Sequence, residues 1–196
     1  MAVVWPLFSV ALARKLGLAS THRSMPTKSQ KPSHAKKFAA IEQVSILGVV
    51  GRMGPIGLWM YASSYVKAAC ALPAPSAGFE PVRYHLVCHG TELGLKALLS
   101  IHGATMLELA ESAYGHNLQK ILEAAKSRGL NNYVSLFLQH EQEITKAAKY
   151  YAGKLFEYPA VGEALQGYPE LPDINVLLEA ANLIVNGLET PCKEAP

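Results

Sequence analysis

Helical spacing of apolar residues is the feature that most limits the folds open to this chain. The clearest segment is 114–130, where apolar residues at i, i+3, i+4 and i+7 mark one helix face: Leu118, Ile121, Leu122 and Ala125. Proline and glycine clusters divide the chain into several segments of this kind. No segment has the period of a strand. The sequence therefore predicts an all-α fold, a helical bundle of about four to five helices.

The predicted helices follow from this spacing and from their capping residues. Proline suits a first helical turn, glycine follows a last turn, and Asp173 after Pro172 is a good N-cap. The predicted segments are 57–71, Pro81 or Val82 to the stop at Gly103, a short helix within 106–113, 114–130, 131–156, and a last helix from Asp173 to Leu188. A helical domain over 57–189 and a C-terminal tail over 190–196 result.

Positive charge is concentrated before the helical domain. Seven Lys or Arg and no Asp or Glu occur up to Ile41: Arg14, Lys15, Arg23, Lys28, Lys31, Lys36 and Lys37. The rest of the chain holds 11 basic and all 15 acidic residues, a balance of −4. The alkaline pI therefore belongs to residues 1–44, and it does not indicate that the helical domain binds nucleic acid.

Residues 1–44 are predicted to form a disordered basic extension. Their short apolar run precedes the basic residues, the reverse of the order in a secretory signal. Two alternatives stay open, an organellar targeting segment and an extension upstream of a start at Met25. Residues 45–66 are strongly apolar, but Arg52 and Pro55 interrupt them before a membrane span of about 20 residues is complete. No membrane partner is predicted.

The cysteines indicate a reducing compartment. Cys70, Cys88 and Cys192 are odd in number, widely spaced and outside any CxxC pair. Neither a disulfide framework nor a thiolate zinc site follows from that arrangement. We therefore predict a cytoplasmic protein.

Polar residues form a seam along the second predicted helix. His85, His89, Glu92 and Lys96 fall within about 60° of one face at 3.6 residues per turn. Two histidines and a carboxylate on one helix could bind zinc or iron, but only His140 and Glu143 offer a further pair of ligands. The simpler interpretation is a seam that packs against another helix, with Glu92 and Lys96 as an i, i+4 ion pair. We predict no metal and no cofactor.

Three blocks of the chain resemble the HEPN domains that are widespread in prokaryotes. The blocks are PVRYHLVCHGTELGLKALLSIHG, YGHNLQKILEAAKSRGL and YYAGKLFEYP, which with the preceding helix cover 57–159. The resemblance implies a homodimer, with RNA, a nucleotide or a cognate protein as partner. Apart from the resemblance, buried polar seams in helical bundles often mark binding surfaces or dimer contacts, so we predict a binding seam of His85, Glu92, Lys96 and His116. From the residues alone, His116 or Asn117 would cap a helix or tie its start to a neighbour.

The ribonuclease members of that family carry an Arg, four to six residues and a His. Arg83 and His89 have this spacing, but residues six apart on a helix point about 120° away from each other. The pair also lies at the start of the second helix, whereas the family motif belongs to a later one. Glu157 stands before Tyr158 and Pro159, where family members have an arginine.

Three functions stay open at this stage. The first is a non-catalytic HEPN-like module that binds a nucleotide, RNA or a protein partner, as in a defence or toxin–antitoxin system. The second is a metal-independent endoribonuclease in which Arg83 and His89 are catalytic, His85 assists and Lys96 is an alternative phosphate contact. The third is a metal site with hydrolytic or redox chemistry. We favour the first.

Overall fold

The computed structural model describes residues 54–73, 79–110, 114–158 and 161–195. All of them belong to one compact unit of the chain, Ile41–Pro196. The predictions for residues 1–44, including the disordered extension, the targeting segment and the start at Met25, lie outside the described residues.

The described residues form α-helices and one 3₁₀ turn, and no strand occurs among them. This confirms the all-α prediction. Five helices have ten or more residues, in agreement with the predicted bundle. The helices are α1 (Pro55–Ala71), α2 (Pro81–Ile101), α3 (Met106–Ala110), α4 (Leu118–Ser127), α5 (Leu138–Ala152), α6 (Val161–Gln166), α7 (Ile174–Gly187) and α8 (Glu189–Glu194), with the 3₁₀ turn at Leu130–Asn132.

Helix α2 lies at the centre of the bundle and contacts α1, α4, α5, α7 and α8. Its packing against α1 is the most extensive, because small residues let the two backbones approach closely. A Cβ atom at Gly90 would lie 2.7 Å from Val66 Cγ2 and 3.2 Å from the Ala62 carbonyl oxygen. At Gly94 a Cβ would meet Ile184 of α7 at 2.9 Å. Glycine at these positions sets the spacing of the central helices.

The caps of α4 and α7 are those that the sequence predicts. Asn117 accepts a hydrogen bond from the Lys120 amide at 3.1 Å, and Gly129 follows α4 with a φ of +84°. Asp173 accepts hydrogen bonds from the Asn175 and Val176 amides at 2.8 and 3.3 Å. Both helices bury the apolar face expected from their periodicity.

The prediction for 131–156 is wrong in its first part, because α5 begins only at Leu138. Residues 130–132 form a 3₁₀ turn and 134–137 are non-helical. This segment packs against α7 so closely that a Cβ at Gly187 would lie 2.5 Å from the Tyr133 carbonyl oxygen. The Phe137 amide donates to His140 Nδ1 at 3.2 Å, which starts α5. Tertiary packing therefore overrides the helical spacing here.

Two short helices lie where the sequence predicts a break or a tail. Helix α6 falls within the proline- and glycine-rich segment that follows α5, and α8 overlaps the predicted tail at 190–196. Cys192 of α8 is buried, and Lys193 lies over the ring of Trp59 in α1. In the described part of the chain, no helix combines the length and the apolar character that crossing a membrane requires.

Candidate functional site

A buried carboxylate lies at the centre of the polar seam on α2. The Glu92 side chain is only 2% exposed, and three side chains from different parts of the fold surround it. Lys96 donates to Oε1 at 2.6 Å, Tyr151 donates to Oε2 at 2.7 Å, and His116 Nδ1 lies 2.9 Å from Oε2. Together with His89, which contacts Tyr151, these residues are named the Glu92 cluster.

His89 is bound to the cluster through a tyrosine hydroxyl. Its Nδ1 lies 2.7 Å from Tyr151 Oη and 3.9 Å from Glu92 Oε2. The Tyr65 and His89 rings pack in a T-shaped arrangement, with centroids 4.5 Å apart and planes at 87°. A quarter of the His89 side chain is exposed, so the imidazole is available to a ligand on one side.

The turn before α4 brings His116 to the cluster. Lys96 also donates to the Gly115 carbonyl oxygen at 2.7 Å, which ties this turn to α2. Gly115 has a φ of +47°, a conformation that glycine adopts without strain, and Asn117 caps the helix that follows. His116 itself is 60% exposed. Capping and a tie to a neighbour are thus divided between Asn117 and His116, the two residues from which the sequence predicted them.

The environment keeps Glu92 ionised and His89 neutral near neutral pH. Burial alone would raise the pKa of Glu92, but the Lys96 charge and the hydrogen bonds from Lys96, His116 and Tyr151 hold it below its ordinary value. Burial lowers the pKa of His89, and this outweighs the opposing effect of the Glu92 charge. Burial and the Glu92 charge raise the pKa of Tyr151, so its hydroxyl keeps its proton.

His85 lies at the edge of the cluster and makes no hydrogen bond among the described residues. Its ring stacks on that of His89, with centroids 5.8 Å apart. Its Nδ1 atom is buried and lies 3.8 Å from Glu157 Oε1, beyond hydrogen-bond distance. The predicted seam residues His85, Glu92, Lys96 and His116 are therefore close together in the structure, but only the last three are hydrogen-bonded to one another.

Arg83 and His89 make separate sets of contacts. The Arg83 guanidinium donates to Glu80 at 2.7 Å and to the Leu72 carbonyl oxygen at 2.9 Å, and it also contacts the Pro73 carbonyl oxygen. These bonds fix the ends of the α1–α2 connection. His89 points instead to Tyr151 on α5. The structure does not bring this predicted catalytic pair into a shared hydrogen bond within the described residues.

An open apolar groove lies beside His89, between α1 and α2. Its volume is about 410 Å³, within the range of small-molecule sites. Tyr65 lines the groove and its ring also contacts His89, so the groove adjoins the Glu92 cluster. Two of the lining side chains, Met60 and Tyr61, are more than half exposed. The lining residues are Met60, Tyr61, Ser64, Tyr65, Ala68 and Leu86.

Sequence reasoning missed the role of Tyr151. The spacing of α5 gives Tyr151 as an apolar packing position, and it is indeed buried. Its hydroxyl nevertheless donates to a carboxylate 59 residues away in the sequence. The one signal in the sequence was a tyrosine at a predicted buried position of a helix that could pack against the polar seam. Periodicity within a helix does not show which residues of two helices contact each other.

The other predicted metal-ligand candidates lie elsewhere. His140 and Glu143 are buried on α5, and His140 Nε2 is 3.5 Å from Glu179 Oε2. Glu143 accepts from the Asp173 amide and from Lys146. Among residues 54–73, 79–110, 114–158 and 161–195, no three His, Cys, Asp or Glu side chains converge in a way that could hold a metal ion.

Comparison with protein-family models, curated proteins and solved structures gives no match to this chain. The function is therefore inferred from the Glu92 cluster, the apolar groove and the residues that join them.

Proposed function

We propose that this chain is a non-catalytic HEPN-like module that binds a nucleotide, either free or as part of RNA. The observation that supports this most is the contact between Tyr65 and His89. It joins an apolar, aromatic-lined groove to a group of titratable side chains. A nucleotide has the same two parts, a flat base that stacks on aromatic rings and a polar sugar-phosphate.

The base would lie in the groove against Tyr61 and Tyr65. Of the six lining side chains only Ser64 and the two tyrosine hydroxyls are polar. A ring that stacks there would leave its ribose and phosphate near His89 and His116, which are 25% and 60% exposed. Stacking on an aromatic side chain contributes about 1–3 kcal/mol per base and tolerates any base.

Charge favours a short ligand over a long RNA. The chain beyond Ile41 carries 15 acidic and 11 basic residues, which repels a polyanion at a distance. Within the cluster, the Lys96 charge is balanced by Glu92 at 2.6 Å. The family resemblance adds the expectation of a homodimer and of a cognate protein partner, and both belong to this proposal.

Equilibrium binding to the full chain tests the proposal. Fluorescence anisotropy with labelled nucleoside monophosphates, a short single-stranded RNA and the matching DNA would measure each affinity. We expect Tyr61→Leu to weaken binding by about tenfold or more, which corresponds to the loss of one stacking contact. Tyr133→Leu is the matched control, because Tyr133 is also exposed, at 40%, but lines a different depression.

Each outcome of this experiment has a clear meaning. Binding of monophosphates as tight as that of RNA indicates a free nucleotide, whereas binding of RNA alone indicates the polymer. Equal affinities of the Tyr61 and Tyr133 variants would show that the base does not bind in the groove. If neither ligand binds the folded protein, the nucleotide proposal is wrong and a protein partner becomes the leading alternative.

A metal-independent endoribonuclease is the second candidate function. It is favoured by the approach of two imidazoles, His89 and His116, to the same carboxylate oxygen of Glu92. Such a pair could remove a proton from a ribose hydroxyl and return one to the leaving oxygen. Arg83, the residue that the sequence pairs with His89, would first have to release Glu80 and two loop carbonyls.

Cleavage of a mixed RNA pool in excess EDTA tests this second candidate. The wild type would be compared with His89→Ala and Arg83→Lys at equal concentrations. Cleavage that is lost with His89→Ala but kept with Arg83→Lys would support a ribonuclease that does not use Arg83. Loss of cleavage in both variants would support Arg83 and His89 as the catalytic pair. The absence of cleavage by the folded wild type would eliminate the ribonuclease candidate.

A further inference from the structure

The Tyr151 hydroxyl has two close neighbours but only one hydrogen. Its oxygen lies 2.7 Å from Glu92 Oε2 and 2.7 Å from His89 Nδ1. Both distances are those of a hydrogen bond, so the hydroxyl must donate to one neighbour and accept from the other. Which neighbour receives the proton decides which nitrogen of His89 is protonated.

Only two arrangements satisfy both contacts. In one, His89 Nδ1–H donates to Tyr151 and Tyr151 donates to an ionised Glu92. In the other, Glu92 is protonated and donates to Tyr151, which donates to His89 Nδ1. Lys96 decides between them, because its ammonium lies 2.6 Å from Glu92 and is itself only 8% exposed. A neutral Glu92 would leave that buried cation unpaired.

We infer that Tyr151 and Glu92 fix His89 with its proton on Nδ1, so that Nε2 is the atom that exchanges a proton with a bound ligand. The same carboxylate orients His116, since an ionised oxygen can only accept and His116 Nδ1 lies 2.9 Å away. His89 thus directs Nδ1–H at Tyr151 and His116 directs Nδ1–H at Glu92, and both rings leave Nε2 for the ligand. Tyr151 and Glu92 are positioning residues in this scheme.

We call the chain of hydrogen bonds from His89 through Tyr151 to Glu92 the relay. The burial of the Tyr151 hydroxyl supports it. The Tyr151 residue is 4% exposed, so bulk water does not compete for either of its hydrogen bonds. Its raised pKa keeps the proton on the oxygen. Neither His89 Nε2 nor His116 Nε2 is among the buried atoms that lack a partner, in contrast to His85 Nδ1.

The ligand chemistry that matches such a site is a monoprotonated phosphate, a group that a nucleotide carries. This part of the inference rests on the proposed function. The phosphate O–H bond breaks and its electron pair stays on the oxygen, while an N–H bond forms at His89 Nε2. The resulting phosphate dianion pairs with the imidazolium, whose charge is also stabilised through Tyr151 by Glu92. Release returns the proton, and no redox partner or metal takes part.

Nuclear magnetic resonance of the imidazole nitrogens tests the assignment without any ligand. Long-range ¹H–¹⁵N spectra of the uniformly labelled full chain distinguish a protonated from an unprotonated ring nitrogen. The chain has seven histidines, and a His89→Gln sample identifies the signals of His89. We expect wild-type His89 to carry its proton on Nδ1 at neutral pH.

Tyr151→Phe removes the hydroxyl and should transfer the His89 proton to Nε2. Tyr150→Phe is the matched control, because the neighbouring tyrosine is equally buried but its hydroxyl receives the Glu170 amide instead. It should leave the His89 signals unchanged. Wild-type His89 protonated on Nε2, or a Tyr151→Phe spectrum identical to that of the wild type, would overturn the inference.

The wild-type spectrum decides the question even if Tyr151→Phe does not fold. The result is also independent of whether a nucleotide binds. A protonated Nδ1 in a protein without nucleotide affinity would support the relay and reject the proposed function. The reverse pair of results would reject the relay and keep the binding site.

Discussion

Two buried glutamates in this fold have different neighbours and different consequences. Glu92 on α2 and Glu143 on α5 have side chains that are 2% and 11% exposed, and each is paired with a lysine at 2.6 Å. The other carboxylate oxygen of Glu143 accepts a hydrogen bond of 2.7 Å from the Asp173 amide, at the start of α7. The lysine that pairs with it, Lys146, is half exposed.

Within the described residues, Glu92 accepts hydrogen bonds from no backbone amide and only from side chains that can titrate. Its donors are Lys96, Tyr151 and His116. A buried ion pair of this kind is a weak source of stability, because the desolvation cost offsets much of the attraction. Glu143 fastens two helices together, whereas the Glu92 cluster orients imidazoles toward solvent. The donors to the carboxylate, and not its burial, therefore separate a structural glutamate from one in a site.

The largest expected effect is that of Glu92→Gln. It leaves Lys96 as an unpaired buried charge, so we expect the free energy of unfolding to fall by about 3–5 kcal/mol. Glu143→Gln keeps an oxygen for the Asp173 amide and a partly solvated lysine, and it should cost about 1 kcal/mol. Urea unfolding followed by circular dichroism would measure both. Equal losses would show that the two acids are energetically alike, against the distinction drawn here.

A change in the close contact between α1 and α2 should affect the Glu92 cluster and leave the surroundings of Glu143 unchanged. In Gly90→Ala the new methyl group would meet Val66 and the Ala62 carbonyl, and we expect a loss of about 1–3 kcal/mol. The displacement of α1 should also weaken nucleotide binding, because Tyr65 lies on that helix. Gly162→Ala is the control, since none of the residues that the structure describes lies within 4 Å of the added atom. Thermal unfolding that finds Gly90→Ala as stable as the control would contradict the close packing.

Each acid has a helix cap beside it, which allows a matched pair of smaller changes. Asn117 caps α4 next to His116, and Asp173 caps α7 next to Glu143. Replacement of either by alanine should cost about 1 kcal/mol. Only Asn117→Ala should also weaken nucleotide binding, since it loosens the turn that orients His116. Equal affinities for the two variants would argue that this turn has no role in the site.

The smallest expected effect is the loss of folding stability at low pH. The folded-state pKa values of Glu92 and His89 lie below the ordinary values of 4.5 and 6.5, so the unfolded chain binds more protons as the pH falls. Their contribution to stability is therefore present above those ordinary values and is lost as the pH decreases through the folded ones. Urea unfolding between about pH 7 and pH 2 should show this loss, and Glu92→Gln should remove the part of it that lies below about pH 4.5. An unchanged slope in the variant would remove Glu92 as its source.

The sequence anticipated much of the fold and part of the site. Helices α1, α2, α4 and α7 follow from periodicity, and the caps Asn117 and Asp173 follow from their side chains, because these signals are local. The start of α5 did not follow, since the packing of Tyr133 against Gly187 depends on another helix. The HEPN resemblance, the dimer and the partners stay predictions.

The order of the amino acids was enough to predict the helical class and the seam of His85, His89, Glu92 and Lys96 on one face of α2. A helix repeats every 3.6 residues, so side chains on one face can be found by counting. Tertiary structure alone decided that Arg83 binds the preceding loop, that Tyr151 lies between His89 and Glu92, and that Tyr65 joins the seam to a groove. Those contacts depend on how helices are set against each other, and no spacing within one helix contains that information.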